Sequence, residues 1–178
     1  MPALTQSAIR RLFALLNEEL RQSKTRGELY LVGGAVMCLA YNARPSTADV
    51  DALFVPPAQV RKAAERVAAK ARFPAGWLND GVKAFLSDKG DFAPFLELDH
   101  LIVMVAEPRY LLAMKCLAMR IGAEFHDEDD VRFLLRLLEL RSYDDAVEII
   151  TKYYPLDRFP QKALYALEEL LAQRSPKS

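Results

Sequence analysis

The sequence contains few of the residues on which several common classes of small protein depend. Only 2 of its 178 residues are cysteines and only 2 are histidines, and Cys38 and Cys116 lie far apart. This spacing excludes a disulfide scaffold and a zinc site built from clustered Cys and His ligands. We expect both cysteines to be buried thiols in a reducing cytoplasm.

The chain also lacks net charge and long apolar segments. Its 24 basic and 24 acidic residues cancel, which argues against sequence-independent coating of DNA or of an acidic membrane. The longest apolar stretch, residues 29–41, spans 13 residues and includes two glycines, whereas a membrane helix needs about 20 residues. The first residues have neither the charged start nor the apolar core of a signal peptide. We therefore expect a cytoplasmic protein that does not enter a membrane.

What is present, 52% hydrophobic and 27% charged residues, is typical of one globular domain or of a domain with a small appendage. In the first half, Thr5 is the predicted N-cap of a helix whose apolar residues repeat at helical spacing as far as Leu20. Alternation and short apolar runs predict strands over 29–32, 49–54, 95–99 and 101–105. Helices are predicted over 35–41 and 58–71.

After Pro108 the periodicity becomes helical. Helices are predicted over 110–121, 127–140, 143–153 and 160–172, with Ser142 as an N-cap and Pro160 as a first helical residue. The predicted fold class is α+β, a small mixed sheet flanked by helices with a helical C-terminal layer. Residues 1–108 form the α/β core, residues 109–178 form the helical subdomain, and residues 174–178 are expected to be a frayed tail.

Two local patterns indicate phosphate and metal chemistry. Gly33 and Gly34 stand between a predicted strand and a predicted helix, where backbone N–H groups can approach a phosphate that a Cβ atom would obstruct. Asp49 and Asp51 share one face of a predicted strand, about 6–7 Å apart along the chain. Two carboxylates without histidine favour Mg²⁺ or Mn²⁺ over zinc. Either pattern alone also fits an ordinary turn or a solvated strand edge.

The glycine pair and the Arg44-Pro-Ser-Thr-Ala-Asp-Val-Asp51 segment resemble the nucleotidyltransferase superfamily, which has the DNA polymerase beta-like fold. The similarity is greatest to its small bacterial branch of abortive-infection, toxin-like and uncharacterised proteins, and it runs from about residue 28 to residue 140. The first family motif falls on Gly33, Gly34, Asp49 and Asp51. The resemblance implies that both aspartates bind Mg²⁺ or Mn²⁺ and that the glycine turn binds a nucleoside triphosphate.

The second family motif falls on Lys115 and on Asp127 or Asp130, which implies that Lys115 also binds the triphosphate. From the residues alone, Lys115 lies among apolar neighbours, so it must snorkel, pair with a carboxylate or reach a ligand. The acids from Asp127 onward also suit the start of a helix. We favour a link from Lys115 and Arg120 to Asp130 that shapes the pocket, with Arg44 as a further residue of that pocket.

The sequence departs from the family pattern at two points. Active members have a serine after the first glycine, where this chain has Gly34, and Thr47 is the candidate for the missing hydroxyl. Active members also use a third carboxylate on a neighbouring strand, for which Asp99 and Glu97 are the candidates, with Asp99 preferred as the catalytic group. Trp77, beside an amide and an acid, stacks a base or fills the core, and we favour the core.

The resemblance implies transfer of a nucleoside monophosphate from a nucleoside triphosphate to an RNA, a protein side chain or a small molecule. It also implies a toxin of a toxin–antitoxin pair, with an antitoxin as partner. The alternative is a non-catalytic binding module of the same fold that acts through a protein or nucleic-acid partner. A third reading is a purely structural α/β protein whose aspartates are solvated.

Overall fold

A computed structural model describes residues 2–174 and confirms the predicted α+β class. Over these residues it contains seven α-helices, a five-stranded mixed sheet and a two-stranded sheet. The elements are β1 (Leu4–Thr5), α1 (Gln6–Gln22), β2 (Gly27–Val32), α2 (Gly33–Leu39), β3 (Ser46–Thr47), β4 (Val50–Val55), α3 (Pro57–Ala71), β5 (Leu78–Asn79), β6 (Phe92–Glu97), β7 (Leu101–Ala106), α4 (Pro108–Leu117), α5 (Asp127–Leu137), α6 (Tyr143–Ile150) and α7 (Gln161–Ala172).

The chain divides into two compact units. The sheet unit comprises the chain up to residue 84 together with residues 92–106, and the helical unit comprises residues 85–91 together with the chain from residue 107. Of the expected tail over 174–178, the part after Arg174 lies outside the described residues. Within residues 2–174, no helix combines the length and apolar composition needed to cross a membrane.

The strand order of the large sheet is β5-β4-β2-β7-β6. The central strand β2 runs antiparallel to β4 and parallel to β7, and β5 runs parallel to β4 on the other side. Because β4 is antiparallel to β2, the start of β4 lies beside the end of β2. The turn into α2 and the first residues of β4 therefore meet at one end of the sheet.

One face of this sheet forms the core of the sheet unit. Leu29, Phe54 and Val103 occupy adjacent register positions on β2, β4 and β7 and are almost completely buried. The residues next to them in sequence are half-buried, or exposed in the case of Val55, so the strands show the alternation expected of a sheet packed on one face. Each buried side chain of this size contributes roughly 1.5–3 kcal/mol through burial.

Helix α1 packs beside α3 and forms as its sequence predicts. The Thr5 hydroxyl caps its first turn by accepting a hydrogen bond from the Ala8 amide at 3.2 Å. Its predicted apolar positions are all buried: Ile9, Leu12, Phe13, Leu16 and Leu20. Glu19 is also buried and pairs with Arg66 and Lys70 of α3. Burial raises the pKa of Glu19, but hydrogen bonds from Lys70 and Arg66 outweigh that effect and leave the pKa below its usual value.

The helical unit is built around stacked tyrosines. The rings of Tyr110 and Tyr153 stack at 5.1 Å, and Tyr154 is almost fully buried beside them. Residues 85–91 belong here because the Ser87 amide donates to the Tyr110 hydroxyl, at 2.9 Å, and the Tyr154 hydroxyl donates to the carbonyl of Phe85, at 2.5 Å. The sequence contains no local pattern that assigns this loop to the helices.

Helices α4, α5 and α6 end before their predicted last residues, and Pro160 is the N-cap of α7, one residue before the helix begins. The predicted helix over 110–121 ends at Leu117, because an irregular segment with Gly122 at φ +146° follows. The predicted helix over 127–140 ends at Leu137, before Glu139 adopts a left-handed conformation. The Ser142 cap is confirmed, since its hydroxyl accepts a hydrogen bond from the Asp145 amide at 3.1 Å.

Candidate functional site

The glycine pair stands where β2 turns into α2. Gly33 has φ +67°, a left-handed conformation that side chains other than glycine rarely adopt. A Cβ atom at Gly33 would lie 3.1 Å from the Asp51 Oδ2 atom. Gly33 is thus required by its backbone conformation, and its lack of a side chain lets the turn approach a carboxylate of β4.

The segment between α2 and β4 places two polar side chains, those of Arg44 and Thr47, next to Gly34. A Cβ atom there would lie 2.7 Å from the Thr47 hydroxyl oxygen and 2.9 Å from an Arg44 guanidinium nitrogen, Nη2. Thr47 is buried and Arg44 is half-buried. The loop therefore places a hydroxyl and a cation beside the glycine turn.

Thr47 supplies its hydroxyl at the place where a side chain on residue 34 would begin. The hydroxyl donates to the Asp49 carbonyl oxygen, at 3.2 Å, so Thr47 also fixes the backbone that carries the first aspartate. Gly34 and Thr47 are thus in close contact, and the Thr47 hydroxyl occupies the space that a Cβ atom on residue 34 would need.

The two aspartates flank Val50, which is fully buried in the core. Asp51 is half-buried and is the register partner of Val32 on one side and of Asn79 on the other. Register partners share a face of the sheet, so Asn79 lies on the same face as Asp51. The Asn79 side-chain amide donates to the Asp49 Oδ2 atom at 3.0 Å. This bond brings the Asp49 carboxylate to the face that carries Asp51.

The donor set matches the usual protein ligands of Mg²⁺. Across the described chain, no group of three or more His, Cys, Asp or Glu side chains is placed to hold a metal ion. Proteins usually hold Mg²⁺ with one or two carboxylates, and substrate phosphates and water complete its coordination. Asp49 and Asp51 fit the ion in that way, as a pair next to a turn suited to phosphate.

Sequence reasoning missed the role of Asn79. It lies in a strand of two residues, which is too short to show a periodic pattern, and its amide orients the Asp49 carboxylate. Its neighbour Trp77 is a core residue, as predicted, with 2% of its surface exposed and its indole N–H donating to the Ala64 carbonyl at 3.0 Å. The one signal for Asn79 was its place in the polar stretch after this tryptophan.

The structure corrects the expected position of the third carboxylate. Asp99 and Glu97 lie at the hairpin between β6 and β7, where the Gly27 amide of β2 donates to the His100 carbonyl at 2.9 Å. Glu97 lies at the level of Glu28 of β2, and Asp51 lies at the level of Val32 of the same strand. These two levels are four residues, or about 13 Å, apart along β2.

The reason for this placement is the direction of the strands. Strand β7 is parallel to β2, so its start lies beside the start of β2, whereas the start of β4 lies beside the end of β2. At their end of the sheet, Asp99 accepts from the Asn17 amide at 2.8 Å and Glu97 pairs with Arg26 at 3.5 Å. Neither acid is near the glycine turn.

The second motif forms a cluster inside the helical unit. The Lys115 ammonium lies 2.6 Å from Asp130 and 3.8 Å from Asp127, and all three side chains are at most 10% exposed. Arg120 donates to Asp127 through its side-chain Nε, at 2.9 Å, and through its backbone amide, at 3.0 Å. The expected link between Lys115 and Asp130 is therefore present, and Arg120 binds Asp127.

The charges of this cluster control the ionisation of Asp127. Burial raises the pKa of Asp127, but the hydrogen bonds from Arg120 and the charge of Lys115 outweigh that effect, so the pKa lies below its usual value. The cluster neutralises its own charges inside the fold. Its position explains why α5 can begin with acids that are buried.

Comparison with known proteins gives no further information about this site. None of the protein-family models, curated proteins or solved structures with which the chain was compared matches it. Any function of this chain must therefore be inferred from its own residues.

Proposed function

We propose that this chain is a metal-dependent nucleotidyltransferase. It transfers a nucleoside monophosphate from a nucleoside triphosphate to an acceptor hydroxyl of an RNA, a protein or a small molecule. The acceptor hydroxyl loses its proton to solvent as its oxygen forms a bond to the α-phosphorus, the bond from that phosphorus to the bridging oxygen breaks, and pyrophosphate leaves. The observation that supports the proposal is the meeting of Gly33, Gly34, Arg44, Thr47 and Asp51 at one end of the sheet.

Each of these residues has a role that its position supports. The Gly33 and Gly34 turn offers backbone N–H groups to the phosphates without an intervening Cβ. Asp49 and Asp51 hold Mg²⁺, which supplies neutralisation of the charge that develops on the phosphates. Thr47 holds the backbone of Asp49, and Asn79 orients its carboxylate. Catalysis of this kind consists mainly of positioning and electrostatic stabilisation.

Arg44 is the phosphate-binding cation in this proposal. Its guanidinium lies beside Gly34 in the same unit as both aspartates, and a guanidinium matches phosphate oxygens with two parallel N–H donors. Lys115, for which the family resemblance implies the same role, is held by two buried carboxylates in the helical unit. We therefore assign Lys115 to the stability of that unit.

A second candidate is a module that binds a nucleotide without transferring it. The position of Asp99 and Glu97 favours this candidate, because the site then has two carboxylates from β4 and its preceding loop and neither of the acids proposed as the third. The two candidates share the binding site and differ in chemistry. Release of pyrophosphate distinguishes them.

The first experiment is calorimetric titration of the full chain with ATP, GTP, CTP and UTP, with and without Mg²⁺. We expect one or more of them to bind, only in the presence of Mg²⁺, and the double variant Asp49→Asn/Asp51→Asn to lose that binding. The matched control, Asp144→Asn/Asp145→Asn, removes two exposed adjacent acids from α6 and is expected to bind as the wild type does. Absence of binding to all four nucleotides would refute both candidates.

The second experiment tests transfer with the nucleotide that binds. The protein is incubated with that nucleotide, labelled at the α-phosphate, and with total RNA, with cellular protein or with small hydroxylated molecules. Pyrophosphate release with label in one acceptor fraction supports the transferase, and binding without release supports the module. Expression of the wild-type chain is expected to slow growth if the enzyme is a toxin, and the double variant should not.

A further inference from the structure

We infer that Gln6 is a positioning residue for the glycine turn, and that it acts by completing the far end of α2. The expected effect on nucleotide binding rests on the proposed function, whereas the support that Gln6 gives to α2 rests on hydrogen bonds alone. The Gln6 side-chain amide donates to the carbonyl of Leu39 at 3.1 Å and to that of Cys38 at 3.5 Å. Both carbonyls belong to the last turn of the helix that Gly33 and Gly34 begin.

The last turn of a helix leaves four carbonyls without partners inside that helix. In α2, the Ala40 amide donates to Val36 and the Ala43 amide donates to Met37, each at 2.9 Å. The Gln6 side chain supplies a donor to the two carbonyls that follow, those of Cys38 and Leu39. A side chain more than thirty residues away in sequence thus completes the last turn of α2.

This contact matters more in α2 than it would in a longer helix. The helix has only seven residues, begins with two glycines and has no side-chain cap at its start. Helices of this length are not stable on their own, and glycine lowers helix stability further. The conformation of α2 therefore depends on its surroundings, and the position of the glycine turn depends on that of α2.

Gln6 connects α2 to helix α1, which is anchored in the core. It is the first residue of α1, whose five apolar positions are buried in the core. The two residues before it, Leu4 and Thr5, pair with Thr47 and Ser46 in the two-stranded sheet. Residues 4–6 therefore join α1 both to the helix of the glycine turn and to the strand that carries the Thr47 hydroxyl.

The test uses three variants of the full chain. Gln6→Met keeps the length and helix propensity of the side chain but removes its donor, and Gln6→Lys restores N–H donors of similar reach, which suit a helix C-terminus. The control, Gln22→Met, makes the same change at the exposed last residue of α1. Amide hydrogen exchange is measured without nucleotide, and affinity is measured by calorimetry with Mg²⁺ and ATP, or with another of the four nucleotides if the wild type binds that one instead.

We expect Gln6→Met to accelerate exchange at the Ala40 and Ala43 amides by about tenfold and to weaken ATP binding by a similar factor, which corresponds to the loss of one net hydrogen bond. Gln6→Lys should lie closer to the wild type than Gln6→Met, and Gln22→Met should change neither measurement. Unchanged exchange in Gln6→Met, or acceleration spread evenly over the whole chain, would overturn the inference.

Failure of the proposed function gives a different pattern. If the wild type binds no nucleotide, the site has another purpose, and the exchange of Ala40 and Ala43 still decides whether Gln6 holds α2. If the wild type binds ATP and Gln6→Met binds it equally well, the proposed function stands and the positioning role of Gln6 is refuted.

Discussion

Two pairs of aspartates, one in each unit, show how the same residue type is used in different ways. In the helical unit, Asp127 and Asp130 are almost fully buried and bind Arg120 and Lys115. In the sheet unit, Asp49 and Asp51 are half-buried, and the Asp49 carboxylate accepts from the neutral amide of Asn79. The first pair is enclosed inside its unit, whereas the second is partly exposed beside the glycine turn.

This difference separates charges that serve the fold from charges that can serve a ligand. Burying a carboxylate is costly unless a cation and hydrogen bonds compensate for the lost water, and the helical cluster contains both. Carboxylates that remain half in water and meet a turn without Cβ atoms can accept an ion from solution. The family resemblance implied a single site for both motifs, with Lys115 on the triphosphate and Asp130 shaping the pocket.

The largest expected effect is on stability, from Lys115→Met. The change leaves Asp127 and Asp130 buried with less compensating charge, and removing one partner of a buried pair typically costs about 3–5 kcal/mol. We expect the free energy of unfolding in urea to fall by about that amount. Lys162→Met on the exposed face of α7 is the control, and we expect it to change stability by less than about 0.5 kcal/mol.

The same variant also tests the comparison between the two pairs. Under native conditions, folded Lys115→Met should bind ATP with Mg²⁺ as tightly as the wild type, because Lys115 is assigned to stability. A loss of affinity with an unchanged free energy of unfolding would reverse that assignment and return Lys115 to the nucleotide site.

A smaller effect, with a defined pH dependence, is expected from Asp127→Asn. The folded pKa of Asp127 lies below its ordinary value of 3.8, so the ionised form stabilises the fold above that value, and the contribution disappears as the pH falls through the folded pKa. At pH 7 the variant should be less stable by about 2 kcal/mol, the typical contribution of hydrogen bonds to a charged group.

Urea unfolding from pH 7 to pH 3 gives the measurement. The stability difference between the wild type and Asp127→Asn should narrow as the pH falls below about 4. A difference that stays constant down to pH 3 would mean that the Asp127 charge contributes nothing, and that the hydrogen-bond geometry alone is responsible.

Asn79→Ala is expected to change stability least of the three variants, but it should also weaken nucleotide binding. Loss of the amide frees the Asp49 carboxylate to rotate, and loss of such an outer contact typically weakens metal affinity by about tenfold or more. We expect ATP binding with Mg²⁺ to weaken by about that factor while the free energy of unfolding changes by roughly 1 kcal/mol.

The control is Asn17→Ala, which removes a similar bond from an amide to a carboxylate, that to Asp99, at the other end of the sheet. It should leave ATP binding unchanged. Equal losses in the two variants would show that the effect is general, and would remove Asn79 from the site.

Features that depend on residues close together in the sequence were predicted correctly. Thr5 and the apolar stripe that follows it belong to consecutive turns of the single helix α1. Ser142 likewise directly precedes the helix that it caps, α6. The strand that carries Asp51 shows its alternation within six residues. In each case the determining contacts lie within a few residues of one another, so periodicity and capping chemistry are enough.

Features that depend on strand order were not predictable in this way. Asp99 was proposed as a third ligand because it shares one face of a predicted neighbouring strand with Glu97, but the parallel pairing of β7 with β2 places it at the other end of the sheet. Asn79 and Thr47 lie in strands of two residues, whose pairing is fixed only by distant segments. Local patterns hold no information on which strand ends meet.

The division of the chain into units has a practical consequence for anyone who wishes to dissect it. The backbone passes between the two units three times, before residues 85, 92 and 107. A fragment that stopped at residue 106 would keep Ser87 but lose Tyr110 and Tyr153, to which it bonds. Neither unit can therefore be obtained as a single continuous segment of the chain, so one cut in the gene does not separate them.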